Sequence, residues 1–177
     1  MIGLKRGTVK LLPYDYRWVE LYKQEEKLLL SLIGEYVIDI QHVGSTSIKG
    51  LDSKPIIDIA VGIKSLNDTE NFRNLLENAG YQYRGRAGVE GRIMFAKGSE
   101  DLRTHYLHIE VYGGDLWENH IYFRDYLQLN KKSFEEYSRL KKELAEKFKE
   151  DRNSYTSSKN NFINSTLKKA REEFSKK

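Results

Sequence analysis

A chain of 177 residues with 39% apolar side chains is long enough to bury one core and short for two, so residues 1–177 read as a single domain. It holds no cysteine, which excludes disulfides, thiolate catalysis and cysteine-ligated zinc. The net charge of +4 is uneven: residues 1–130 carry 16 Lys+Arg against 18 Asp+Glu, and residues 131–177 carry 14 against 8. The start of the chain has no basic segment leading into an apolar run, and no stretch approaches membrane-spanning length, so a cytoplasmic protein with no membrane association is expected.

From Tyr16 to Ile33, Trp18, Leu21, Tyr22, Leu28, Leu29, Leu32 and Ile33 fall on one helical stripe, with Asp15 placed to cap the start and Gly34 to end it. Tyr36 to Val43 and Pro55 to Ile63 are rich in Val and Ile and read as strands joined by a loop of glycines and hydroxyl residues. Asn67 to Ala79 returns to helical spacing and stops at Gly80. Tyr81 to Arg84, Arg92 to Lys97 and Thr104 to Tyr112 complete the strands, separated by glycine-containing turns. This order predicts an α/β (α+β) fold: a mixed, partly antiparallel sheet of about five strands over 36–112, with helices mainly on one face. Beyond Gly113 and Gly114, three helices are expected over 115–176: one capped by Asp115 and reaching Leu129, one marked by Phe134, Tyr137, Leu140, Leu144 and Phe148, and one marked by Ile163, Leu167, Ala170 and Phe174.

Alternation places Ile57, Ile59, Val61 and Ile63 on one face of their strand and Asp58 on the other, a lone carboxylate in an apolar run. On the last strand Leu107, Ile109 and Val111 form the apolar face, and His108 and Glu110 share the opposite one. If the two strands are close, Asp58, Glu110 and His108 converge, and the two carboxylates suit Mg²⁺ or Mn²⁺. The bland alternative pairs Asp58 with Lys54 or an arginine and leaves Glu110 on a half-solvated surface. After the first strand, Gly44 allows backbone N–H groups to approach an anion, and Ser45 and Thr46 add hydroxyl donors. His42 either supports that loop or contacts a base. His105, on the apolar face, reads as a core residue. Arg92, Lys97 and Arg103 flank the last strands as candidate phosphate clamps, and Arg124 either reaches the sheet or forms a structural ion pair.

The combination of a strand, Gly44-Ser45, Lys54 and then Asp58 resembles the nucleotidyltransferase superfamily. More narrowly, the run His42-Val-Gly-Ser-Thr-Ser-Ile-Lys-Gly-Leu-Asp-Ser-Lys-Pro-Ile-Ile-Asp-Ile59 is similar to the signature of the GrpB family. The similarity continues through Thr104-His-Tyr-Leu-His-Ile-Glu110, Trp117-Glu-Asn-His120, Phe123-Arg-Asp-Tyr-Leu127 and the segment Tyr155 to Ile163. The resemblance implies a nucleotidyltransferase-like fold with a Gly-Ser loop on nucleotide phosphates and carboxylates on metal. It departs in two respects: Ile56 and Ala60 flank Asp58 where a second carboxylate is usual, and Lys49 stands where proline is more usual.

These readings lead to two expectations. One is a metal-dependent nucleotidyl- or pyrophosphoryl-transferase, with His42, Gly44, Ser45, Thr46, Lys54, Arg92 and Lys97 on a nucleotide or phosphorylated small molecule, and Asp58, Glu110 and His108 at the chemistry. The other is a catalytically silent nucleotide- or phosphometabolite-binding module of the same fold. A third possibility, RNA on the basic C-terminal helices, rests on charge asymmetry alone.

Overall fold

The computed structural model describes residues 2–175. Helix α1 (Arg17–Ile33) has Tyr16, not Asp15, at its N-cap position, and the Asp15 carboxylate one residue earlier accepts from the Arg17 backbone N–H at 3.0 Å, satisfying one of the donors that a helix start leaves free. Its end differs from expectation, because Gly34 keeps helical angles (φ −55°) and the chain tightens into a short 3₁₀ turn over Gly34–Tyr36. Gly80 does end α2 (Thr69–Asn78) in the left-handed region, at φ +90°.

The five strands are β1 (Val37–Val43), β2 (Ile57–Ile63), β3 (Tyr81–Tyr83), β4 (Arg92–Gly98) and β5 (Arg103–Val111), in the sheet order β1-β2-β5-β4-β3. Only β2 and β5 run parallel; every other neighbouring pair is antiparallel, so the sheet is mixed. The β2–β5 register sets Asp58 beside Tyr106 and Ala60 beside His108. Parallel neighbours need a long crossover, and here it comprises α2, β3 and β4, which puts β5 in the middle of the sheet.

The helices do not gather mainly on one face. Trp18, Leu29 and Ile33 of α1 and Phe72 and Leu76 of α2, all fully buried, pack with Ile57, Ile59, Val61, Leu107 and Ile109 on one side. On the other side Trp117 of α3 (Asp115–Leu129) packs with Val43 and Ala60. The alternation expected for β2 is therefore real, but both faces are covered, because Ala60 and Gly62 leave room for an aromatic residue: a Cβ on Gly62 would stand 2.9 Å from the Tyr112 ring and 3.2 Å from that of Trp117. Val111, expected on the apolar face, ends the strand 41% exposed.

Gly114, not Asp115, occupies the N-cap position of α3, and Asp115 lends its charge to the first turn. Asn130 caps α4 (Lys131–Lys147) through the Ser133 N–H at 3.0 Å. A further short helix, α5 (Arg152–Ser157), was not expected; Asp151 caps it through the Ser154 N–H at 3.0 Å. The last helix, α6 (Asn160–Phe174), matches the expected third one, and position 176 of that expectation lies outside the described residues. The N-terminal strap fixes this region: Val9 donates its N–H to the Lys149 carbonyl at 2.7 Å and packs on Ala145 and Tyr155. Among the described residues no helix is long and apolar enough to cross a membrane.

Candidate functional site

The loop after β1 turns at Gly44, which adopts φ +68° and leads into a 3₁₀ turn over Ser45–Ser47. The Thr46 hydroxyl donates toward the Ile56 carbonyl at 3.4 Å, which leaves its oxygen to accept from His42 Nε2 at 3.0 Å. His42 is buried and stacks on Tyr22 with ring centroids 4.8 Å apart. Burial drives its pKa down to about 4, so it is neutral and serves as an internal prop for the loop. Arg124 locks the same strand from outside, donating at 2.9 Å to both the Gln41 side chain and the His42 carbonyl.

This loop borders a cavity of about 650 Å³ between the sheet and helices α3 to α6, of a size to take a nucleotide. Gly44, Ser45, Thr46, Lys54, Asp58, Arg92, His108 and Glu110 all line it. Lys97 does not. It lies on the sheet face covered by α1, where Nζ meets the Glu25 carboxylate at 2.6 Å beside the Tyr81 ring, so strand alternation gives it to a structural pair and not to the cavity. Arg103 is likewise buried elsewhere, against Glu100 and Gln82. Lys49 is exposed and takes no part in the wall.

Three further cations line the cavity that the sequence shows only as part of its basic C-terminal segment: Lys141 of α4, Arg152 of α5 and Lys159 just before α6. Lys141 is 1% exposed and donates to the Asp52 carbonyl at 2.7 Å and the Ser53 hydroxyl at 3.3 Å. Lys54, Arg152 and Lys159 form no ion pair among the described residues, and Arg152 Nη1 is buried without a hydrogen-bond partner. Lys54 and Lys159 both lie near the Tyr155 ring, with Nζ at 5.1 and 4.3 Å from its centroid. Burial pushes the Lys159 pKa down to about 8, Arg152 adding to the shift against the pull of Asp58. Burial also lowers the pKa of Lys54, with Arg152 and Lys159 reinforcing it, and that of Lys141, with Lys159 and Lys54 reinforcing it. A signal for these residues was present in the sequence: Lys141 falls between Tyr137 and Ala145 at i+4 steps on the buried stripe of α4, and Lys159 between Tyr155 and Ile163 at the same step.

Asp58, His108 and Arg92 form a chain. Arginine only donates, so the 3.4 Å contact of Arg92 Nη1 with His108 Nδ1 makes that nitrogen the acceptor. His108 Nε2 then carries the proton toward Asp58 Oδ1 at 3.3 Å. Burial lowers the His108 pKa, in keeping with a neutral ring. Burial opposes ionisation of Asp58, but the His108 hydrogen bond and the charges of Lys54 and Arg152 outweigh it, and its pKa falls.

The two carboxylates expected to share Mg²⁺ or Mn²⁺ are not gathered into one oxygen cage. Asp58 is turned to His108, while Glu110 Oε1 meets His120 Nε2 at 3.1 Å. The possible ligand atoms that lie within 4.8 Å of one another belong to His108, Glu110 and His120, without Asp58. The register accounts for this, since Asp58 sits beside Tyr106, four positions along β5 from Glu110. The sequence shows His120 only as part of the Trp117-Glu-Asn-His120 motif; its place three residues after the buried Trp117 on α3 is what turns it toward the sheet.

The residues that build this loop and cavity belong to segments that recur in other proteins. Residues 8–169 match the family described as GrpB protein. The chain is 47% identical over 171 residues to the glutamate-rich protein GrpB of Alkalihalophilus pseudofirmus, covering 94% of this chain and 98% of that one. It is 34% identical over 166 residues to the UPF0157 protein YqkA of Bacillus subtilis, where it spans 94% of its own length and 48% of the relative's. The crystal structure of the conserved protein GrpB from Enterococcus faecalis superposes with a TM-score of 0.85 at 32% identity, over 93% of this chain and 99% of that chain. With the matched region running from the N-terminal strap into α6, and so including every wall of the cavity, the chain belongs to the GrpB family.

Proposed function

We propose that the cavity binds a phosphorylated ligand of nucleotide size, and that Asp58 with His108 serves nucleotidyl or pyrophosphoryl transfer on it. The observation that carries the binding is that Lys54, Arg152 and Lys159, without an ion-pair partner among the described residues, line the same cavity as the Gly44-Ser45-Thr46 turn. Buried cations that repel one another cost folding free energy, and an anionic ligand removes that cost. Val89, Leu116, Phe123, Tyr137, Ile163 and Leu167 supply apolar wall for the rest of the ligand, such as a base or sugar.

Asp58 supports the transfer reading. Its carboxylate is 30% exposed at the cavity, is held ionised, and is backed by a histidine in the tautomer that donates to it. A hydroxyl acceptor bound beside Asp58 would lose its proton to that carboxylate as its oxygen bonds to phosphorus and the P–O bond to the leaving pyrophosphate or nucleoside monophosphate breaks, with the lysines and arginine stabilising charge on the phosphoryl oxygens. Mg²⁺ or Mn²⁺ enters this reading as a companion of the ligand's phosphates, not as a resident of two carboxylates. Asp58 stands alone on β2, between Ile56 and Ala60 where transferases of this resemblance carry a second carboxylate, and this favours the second reading, a module that binds the ligand and leaves it unchanged. RNA is the weaker partner, because three of the cations in the basic tail face the cavity and others, such as Lys142 with Asp52 and Arg171 with Glu118, are paired.

Thermal unfolding with ATP, GTP, coenzyme A and inorganic tripolyphosphate, with and without Mg²⁺, tests the binding, since a ligand of the native state raises the melting temperature by mass action. The expected outcome is a rise with at least one of them that Lys159→Met removes; no rise with any phosphorylated compound sinks the proposal. Asp58→Asn then separates the readings. A transferase loses product formation in that variant while keeping ligand binding, whereas the silent module forms no product in either protein.

A further inference from the structure

The carboxylate of Glu110 is 1% exposed, and its Oε2 has no hydrogen-bond partner among the described residues. A buried carboxylate oxygen without a partner is costly enough to need an explanation. The neighbouring cation supplies charge but no hydrogen bond. Arg92 stands opposite Glu110 in the β4–β5 register, yet its guanidinium makes only contacts of 3.4 Å, to His108 Nδ1 and to the carbonyls of Arg86 and Ala87. What surrounds the carboxylate instead is a pair of imidazoles, His108 on its own strand and His120 on α3, with ring centroids 5.1 Å apart and ligand atoms of all three residues within 4.8 Å of one another.

We infer that His108, Glu110 and His120 form a binding site for a divalent first-row transition ion of the zinc type. Two neutral imidazoles and one carboxylate are the donors such ions take, whereas magnesium takes oxygens and keeps much of its water. Three protein ligands leave a coordination position open, and all three residues line the cavity, so the open position faces it. Asp58 has the place of an outer partner: by accepting from His108 Nε2 it fixes the ring and its tautomer, as carboxylates behind metal-binding histidines do. Arg92 is the opposing influence. Its charge repels a cation, and it turns aside from His108 when the ion enters. The site needs no phosphorylated ligand and stands independently of that reading.

The test uses the full chain stripped with chelator and titrated with Co²⁺ alone, followed by visible absorption and by Zn²⁺ competition, in buffer free of nucleotide and phosphate. One Co²⁺ per chain is expected, with ligand-field bands that Zn²⁺ abolishes and excess Mg²⁺ does not. His120→Ala, at a side chain 28% exposed, and Glu110→Gln each remove those bands while keeping the circular dichroism of the metal-free protein. Asp58→Asn weakens binding by about 10–100-fold, and Arg92→Ala tightens it. Absence of stoichiometric Co²⁺ binding, displacement by Mg²⁺, or unchanged binding in both His120→Ala and Glu110→Gln would overturn the site, and none of these results bears on whether nucleotide binds in a metal-free buffer.

Discussion

Gly44 and Asp58 are in contact across the β1–β2 junction: a Cβ on Gly44 would stand 2.6 Å from Asp58 Oδ2 and 2.9 Å from its Cβ. The turn therefore needs glycine twice, for φ +68° and for the space that the carboxylate fills. Gly44→Ala is expected to lower unfolding stability by about 1–3 kcal/mol and to displace Asp58, so that ligand-induced stabilisation falls with it. Urea unfolding with and without tripolyphosphate measures both, and a variant as stable as the parent would refute the double role.

Lys159 is buried at a cost to folding that a bound anion would offset. Its pKa of about 8 lies below the ordinary 10.5, so between those values the unfolded chain binds more protons than the folded one, and stability rises with pH across that window. Below about pH 8 the penalty is fully present. Lys159→Met is expected to raise the stability of the unliganded protein at neutral pH by on the order of 1–3 kcal/mol. Binding runs the other way: a bound polyphosphate needs the charged lysine, so affinity is greatest below about pH 8 and declines above it. Lys54, Lys141, Arg152 and Asp58 face the same space, and the two depressed lysines among them act in the same direction as Lys159. Calorimetric titration with tripolyphosphate from pH 7 to pH 10 provides the check; affinity that does not fall over this range contradicts the charge-based account.

His42 makes the fold sensitive to acid. With a folded pKa near 4 against an ordinary 6.5, the unfolded chain takes up the proton first, and stability is lost as pH falls through that interval. The full contribution is on the order of 3 kcal/mol. His42→Gln keeps a donor near Thr46 and removes the titration, so its stability should change less steeply between pH 6.5 and 4 than that of the parent. Equal slopes in chemical denaturation would place the acid sensitivity elsewhere.

Lys97 separates structure from function. Its pair with Glu25 at 2.6 Å, to which the Tyr81 hydroxyl also donates at 2.6 Å, lies on the α1 face of the sheet, away from the cavity. Lys97→Met should cost about 1–3 kcal/mol of stability and leave polyphosphate affinity unchanged within error, whereas Lys159→Met should lower affinity about tenfold or more. A matching loss of affinity at Lys97 would return it to the phosphate-binding set.

Residues Ile57 to Ile63 announce their two faces by alternation, and Tyr16 to Ile33 their stripe, because the period of a strand or helix is set by local backbone geometry. The Gly44 turn, Lys54 and Asp58 were legible for the same reason, lying within one short stretch of chain. The sequence by itself thus determined the elements other than α5, the mixed character of the sheet and the loop side of the candidate site. Only the tertiary structure decided that β5 lies parallel to β2 with Asp58 four positions from Glu110, that His120 reaches Glu110 from α3, and that Lys141, Arg152 and Lys159 face inward. Local periodicity states which face of an element is apolar, but not which distant face will cover it. A charge on a helix becomes a ligand-binding group or a solvated one according to what packs opposite, and that is fixed by long-range burial.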